Sequence, residues 1–259
     1  MGTMITILVI GGACIIAFLL TRMAKRNVDE EYSGNKKGLF AVEDPSRYLA
    51  VAFDLDGTLL NTAGDLTEAV NYTRRSKGLE DLSKEDVIPK LGSGVNNLLR
   101  CTLPGDMTEE EFSEARKVFS GKYNEICEKS TYAYEGIKPL LEGLKNADYK
   151  LAVITNKDND TAGRLIRSFF PGVFDVVRGR VGELRKPDPK IMEDALVDLG
   201  VSADRMLYVG DSEVDRQFGA NAGVETVLVS WGFRDRASIE ELVPEDHIID
   251  KPRELCGFL

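Results

Sequence analysis

The segment AVAFDLDGTLLNT, residues 50–62, runs apolar residues straight into two aspartates, Asp54 and Asp56, and follows them at once with Gly57 and Thr58. An apolar run of this length, bounded by turn residues, reads as a strand buried on both faces. Two carboxylates at its end are costly: like charges ~4 Å apart repel by about 4 kcal/mol at an effective dielectric of 20. Something positive belongs there.

Outward from this segment the chain alternates. Apolar, β-branched-rich runs at Tyr48 to Phe53, Lys150 to Thr155, Met206 to Gly210 and Glu225 to Ser230 are separated by helical patterns at 135–147, 159–169, 188–200 and 212–222. This βαβ rhythm predicts an α/β fold, a Rossmann-like doubly wound parallel sheet with helices on both faces. Residues 65–133 break the rhythm with helical stretches at 65–78, 94–103 and 108–130 and no convincing buried strand. The expectation is a core domain over 47–259 with an α-helical cap inserted at 64–133.

Doubly wound sheets gather ligands beyond the carboxyl ends of their strands. The first strand ends in Asp54-Leu55-Asp56-Gly57-Thr58, the second in Thr155-Asn156, and a later one in Gly210-Asp211-Ser212, with Asp215 on the opening turn of the next helix. Lys186-Pro187 lies in the loop RKPDP between them. Each is weak alone, since an Asp-Ser before a helix is often only an N-cap. Together they put four carboxylates on one rim, a donor set suited to Mg²⁺, which takes carboxylates, waters and substrate phosphate. Lys186 adds fixed positive charge, and the Thr155 hydroxyl with nearby amides can hold phosphoryl oxygens.

Asp54-x-Asp56-Gly57-Thr58, Thr155-Asn156, Lys186-Pro187 and Gly210-Asp211-Ser212-x-x-Asp215 resemble, in order, the four motifs of the haloacid dehalogenase-like hydrolase superfamily. The helical insert looks like that family's type I cap. AYEGIKPLLEGLK, KLAVITNK, FFPGVFDVVRG, KPDP, YVGDSEVDRQFGANAG and VSWGFR are similar to phosphoglycolate phosphatases and their pyrophosphatase relatives. The resemblance implies a Mg²⁺-dependent phosphatase acting on a small phosphomonoester, 2-phosphoglycolate-like, through an aspartyl-phosphate. Asp54 would be the nucleophile and Asp56 the acid and base. Gly57, Thr58, Thr155, Asn156 and Lys186 would bind the phosphoryl group, with Lys186 also screening the nucleophile. Asp54, Asp56, Asp211 and Asp215 would serve the metal. Pyrophosphatase, phosphomutase and a catalytically weak tethered binding protein are the alternatives. Asn61 departs from the pattern, which usually has an aspartate there.

Composition narrows the field. A net charge of −10 over 259 residues argues against a nucleic-acid partner, which needs a clustered basic face. Cys14, Cys101, Cys127 and Cys256 are scattered, without metal-binding spacing, and the single histidine, His247, sits in a weak strand-like stretch, so Ser-His or Cys-His chemistry is not expected. Gly92 to Gly94 reads equally as an interhelical turn or a substrate-contacting loop. Trp231-Gly232-Phe233 reads as a packed strand-to-loop junction.

The N-terminus stands apart. Met4 to Leu20 carries no charge, spans about 26 Å as a helix, and is followed by Arg22, Lys25 and Arg26. That order is the reverse of a cleaved signal peptide, and the positive flank predicts a single-pass anchor at 1–24 with the catalytic domain in the cytosol. Residues 25–46 read as a linker.

Overall fold

The computed structural model describes residues 47–244 and 247–259. The expected anchor and linker lie outside the described residues. Among the described residues no helix is long and apolar enough to cross a membrane.

Six parallel strands form the sheet: β1 (Ala50–Phe53), β4 (Lys150–Asp158), β5 (Val176–Arg180), β6 (Met206–Gly210), β7 (Glu225–Val229) and β8 (Ile248–Ile249). Their spatial order is β5-β4-β1-β6-β7-β8. The chain thus winds outward from β1 to one edge, returns to β1's other side, and winds outward again. The strand order reverses at β1 and β6, which is where a doubly wound sheet opens its ligand crevice.

Strand periodicity divides the core. Val51, Phe53, Leu151, Val153, Leu207 and Val209 bury one face, while Ala50, Ala52, Ala152, Ile154, Met206 and Tyr208 bury the other. The connecting helices α5 (Ile137–Asn146), α6 (Asn159–Phe169), α7 (Lys190–Leu199), α8 (Glu213–Ala222) and α9 (Arg236–Glu240) follow the helical periodicity of the sequence to within a few residues, the short α9 excepted.

Three strand boundaries differ from the sequence reading. β1 starts at Ala50 instead of Tyr48, and β7 stops at Val229, one residue short of Ser230. β4 runs on to Asp158, past an irregular register between Ile154 and Asp158 that carries three polar residues along the strand. β8 falls in the weak strand-like stretch that holds His247, whereas β5 was not foreseen as a strand. β5 lies at the sheet edge, half-exposed, and its sequence VVRGR has too little apolar content to announce itself.

A helical block separates β1 from the rest of the sheet: α1 (Ala63–Ser76), α2 (Lys84–Val87), α3 (Val95–Thr102) and α4 (Glu109–Ile126). A two-residue antiparallel ladder, β2 (Leu60–Asn61) with β3 (Tyr132–Ala133), brackets it. Asp65 fastens the bracket. Its buried carboxylate accepts from the backbone N–H groups of Ser130 and Thr131 and from the Thr131 hydroxyl, at 2.8–3.0 Å. Asn61 lies in this hinge, where its side-chain oxygen accepts from the Ala63 N–H at the start of α1 (3.3 Å).

Candidate active site

The crevice is built on two adjacent strand ends. Phe53 pairs with Val209, the Asp54 N–H donates to the Val209 carbonyl (2.8 Å), and one residue past β6 stands Asp211. Asp215 follows on the first turn of α8. Asp54, Asp211 and Asp215 are buried, and each offers a carboxylate oxygen within 4.8 Å of the others.

One cation stands inside this cluster. The buried Lys186 ammonium lies 2.7 Å from Asp215 Oδ1 and 2.9 Å from Asp54 Oδ1; it is aligned for a hydrogen bond to the first and only in ion-pair contact with the second. Tyr208, on β6, donates its hydroxyl to Asp215 Oδ1 (2.9 Å) and accepts from Lys186 (3.0 Å). Asp215 Oδ2 accepts from the N–H groups of Asp211 and Ser212 and from the Ser212 hydroxyl. Asp215 is therefore fully occupied, while Asp211 spends one oxygen on the Phe233 N–H (2.7 Å).

Electrostatics separate these carboxyls. Burial pushes Asp54 up to about 7 against the pull of Lys186, with Asp215 and Asp56 adding to the rise. Burial likewise raises Asp211 well above the ordinary carboxylate range, reinforced by Asp215 and Asp54. Asp215 is equally buried, yet Lys186 and the bonds from Ser212 and Tyr208 hold it below its usual value. With all three ionised, one ammonium would leave two negative charges unmatched, and the raised values of Asp54 and Asp211 reflect that surplus. That surplus, on oxygen donors at a strand switch point, fits a hard divalent cation.

Asp56 lies a step further out, at the floor of a cavity of about 260 Å³ between the sheet rim and the helical block. Its Oδ2 pairs with Lys157 Nζ (2.9 Å) and its Oδ1 accepts from the Thr62 hydroxyl (2.6 Å). Asp54, Thr155 and Asn156 line the same cavity.

Other expected residues play supporting parts. Gly57 has φ +87°, and a Cβ there would lie 2.2 Å from Asp211 Oδ2, so the absence of a side chain lets the loop press against that carboxylate. Thr58 is buried with its hydroxyl unpartnered, and its carbonyl accepts from the Trp231 indole N–H (3.1 Å). Trp231 is thus a junction holding the loop after β1. Asn156 clamps Lys186: its oxygen accepts the Lys186 N–H (2.7 Å) and its amide donates to the Lys186 carbonyl (3.2 Å). Gly92 and Gly94 both line the cavity, and the Gly92 carbonyl accepts from Asn156 (3.4 Å). His247 lies elsewhere, 3.5 Å from Glu225.

Sequence reasoning missed Lys157 and Tyr208. Lys157 had a signal: two residues past Thr155 on one strand, it shares Thr155's face. Tyr208 sits in an apolar run, and nothing local marks its hydroxyl as a partner for a lysine 22 residues away.

A buried acidic cluster at the switch point, a lysine inside it and a walled cavity above it fit a cation and a phosphoryl group. The family model described as Haloacid dehalogenase-like hydrolase matches residues 51–229, and the chain belongs to that family. It is 34% identical over 212 residues to a phosphoglycolate phosphatase of Aquifex aeolicus, covering 81% of this chain and 95% of that one. It is 30% identical over 212 residues to the pyrophosphatase PpaX of Bacillus mycoides, with 81% and 95% covered. Among solved structures, a Lactobacillus delbrueckii protein assigned as a phosphoglycolate phosphatase superposes with a TM-score of 0.74 at 32% identity, covering 82% of this chain and 99% of that one.

Proposed function

We propose that the protein is a Mg²⁺-dependent phosphatase that hydrolyses a small, 2-phosphoglycolate-like phosphomonoester through an aspartyl-phosphate on Asp54. The observation that carries this reading is the pairing of two aspartates with opposite surroundings. Asp54 is buried against Lys186, and Asp56, two residues on, faces the cavity with both oxygens held.

Asp54 attacks phosphorus, which divides hydrolysis into two displacements. Lys186 lowers the repulsion between that carboxylate and the incoming phosphoryl group. The backbone amides beside Thr155 and the loop after Asp54 bind phosphoryl oxygens. Asp56 gives a proton to the departing ester oxygen, then takes one from the water that splits the acyl phosphate. Asp54, Asp211 and the Asp56 carbonyl would hold the cation, and Asp215 would fix Lys186 and the Asp211 backbone beside it. Bound there, Mg²⁺ supplies charge neutralisation and orientation of the phosphoryl group.

A cavity of about 260 Å³ supports a small ester over a nucleotide. Inorganic pyrophosphate is the second reading, on the likeness to PpaX. The test is phosphate release by the full chain, with and without Mg²⁺, on 2-phosphoglycolate, pyrophosphate, sugar phosphates and nucleotides. Turnover that requires Mg²⁺ and vanishes in Asp54→Asn is expected. Full activity in Asp54→Asn would overturn the nucleophile.

The reading extends to location. Met4 to Leu20 would anchor the enzyme in a membrane with the catalytic domain in the cytosol, on the strength of its uncharged length and the basic residues that follow. Release of the full chain into the soluble fraction by carbonate extraction would remove the anchor from the account.

A further inference from the structure

The cavity wall opposite the aspartates carries groups that splitting a phosphoester does not need. Arg116, Phe119, Ser120 and Tyr123 line it at helical spacing, so one face of α4 is turned to the substrate space over two turns. Tyr123 is 5% exposed, and its buried hydroxyl, beside the Lys157 ammonium, meets no acceptor. Such a buried donor is costly until an acceptor meets it. Burial keeps this phenol protonated, against the pull of Lys157, so it remains a donor in the wall of the cavity.

The cations of the cavity are unequally used. Lys157 is neutralised by Asp56 and lies 4.6 Å from the Tyr123 ring centroid. Arg116 bonds only a neutral amide, Asn96 Oδ1 at 3.4 Å, and among the described residues no carboxylate pairs with it. Arg180, at the end of β5, reaches Asp158 at 3.6 Å and donates to the Gly182 carbonyl. Two strand spacings separate β5 from β1, about 10 Å, so this arginine enters the cavity well to the side of Asp54.

We propose that Arg116, Tyr123 and Arg180 form a subsite for a second anionic group on the leaving-group side of the substrate. The enzyme then selects small phosphoesters or anhydrides that end in a carboxylate or a further phosphate over those that end in a neutral group. The proposal rests on the phosphatase reading above and adds to it a charge requirement assigned to named residues.

The experiment compares kcat/KM within matched pairs on the full chain: 2-phosphoglycolate against 2-hydroxyethyl phosphate, and pyrophosphate against methyl phosphate. At least one anionic member should lead its neutral partner by tenfold or more, and the pair that does so names the anion. Arg116→Gln and Arg180→Gln should each cut that lead about tenfold, chiefly through KM, and Tyr123→Phe should cut it severalfold. A lead near one in the wild type, or a lead untouched by Arg116→Gln, overturns the subsite. Arg116 is exposed, so its replacement does not threaten the fold.

Absence of turnover on all four compounds would instead strike the phosphatase reading, and the subsite is then judged by binding. A larger rise in Tm with 2-phosphoglycolate than with 2-hydroxyethyl phosphate, lost in Arg116→Gln, sustains it. Equal rises in wild type and variant overturn it.

Discussion

Lys157 Nζ lies 2.9 Å from Asp56 Oδ2, in a pair whose side chains are 5% and 16% exposed. The other Asp56 oxygen accepts from Thr62, at the hinge where the chain leaves for the helical block. Lys157 also packs on the Tyr123 ring of α4. The proposed acid-base carboxylate is thus held by the sheet rim on one side and the hinge on the other. Lys157→Met removes one hold and leaves Asp56 free to turn. Acid-base groups contribute about 10²–10⁴ in rate, and kcat should fall at least about tenfold with KM little changed. Unchanged kcat would mean that Lys157 does not position Asp56.

Asp54 offers a test by pH. Burial raises its folded pKa to about 7 from an ordinary value near 3.8, so between those values the folded state binds the extra proton. Stability contributed through this group therefore falls as pH rises from about 4 to 7. Without Mg²⁺, Asp54→Asn should have a higher Tm than wild type at pH 7 and above, and the gap should close towards pH 4. Mg²⁺ at pH 7 should raise the wild-type Tm by mass action and raise that of Asp54→Asn much less. A gap that stays constant across this range would deny the buried, under-compensated charge.

Asp215 should behave in the opposite way, although it sits in the same cluster. Its carboxylate is the acceptor for Lys186, Tyr208, Ser212 and the Asp211 N–H. Asp215→Ala strands those donors in a buried setting, and removing one member of a buried pair costs about 3–5 kcal/mol. Chemical denaturation should show a loss of that order, present with and without Mg²⁺. A loss seen only when Mg²⁺ is present would make Asp215 a metal ligand before all else.

How far the sequence reaches can be seen from these residues. Asp54, Thr155 and Asp211 were legible because each ends an apolar strand, and strand ends in a doubly wound sheet converge whatever the intervening lengths. The apolar runs of β1 and β4 were legible as buried strands, but which residues pack on which face of the sheet was not. Roles set by contacts distant in sequence were not. The family resemblance implies a phosphoryl-binding role for Asn156, and only the fold shows that its amide also clamps the Lys186 backbone 30 residues away. The phenol of Tyr208 is silent until β6 is laid beside β1. β5 was illegible for an energetic reason: an edge strand with one covered face needs little apolar sequence.

Gly57 joins both levels. Its φ of +87° is open to glycine and strained for other residues, and the space where a Cβ would stand is filled by Asp211 Oδ2 at 2.2 Å. Gly57→Ala must therefore either turn the loop that carries Asp54 and Asp56 or push Asp211 off its bond to the Phe233 N–H. Both movements separate the carboxylates that would share the cation. Displacement of about 1 Å in a catalytic group can cost a hundredfold, so kcat/KM should drop by at least that order. The Mg²⁺ concentration for half-maximal activity should rise in parallel, because the damage reaches Asp211. The fold should survive, since the strain is confined to one turn, and circular dichroism with a cooperative melt checks this. A variant that melts cooperatively and keeps wild-type Mg²⁺ dependence would show that Asp211 does not need the loop where Gly57 holds it.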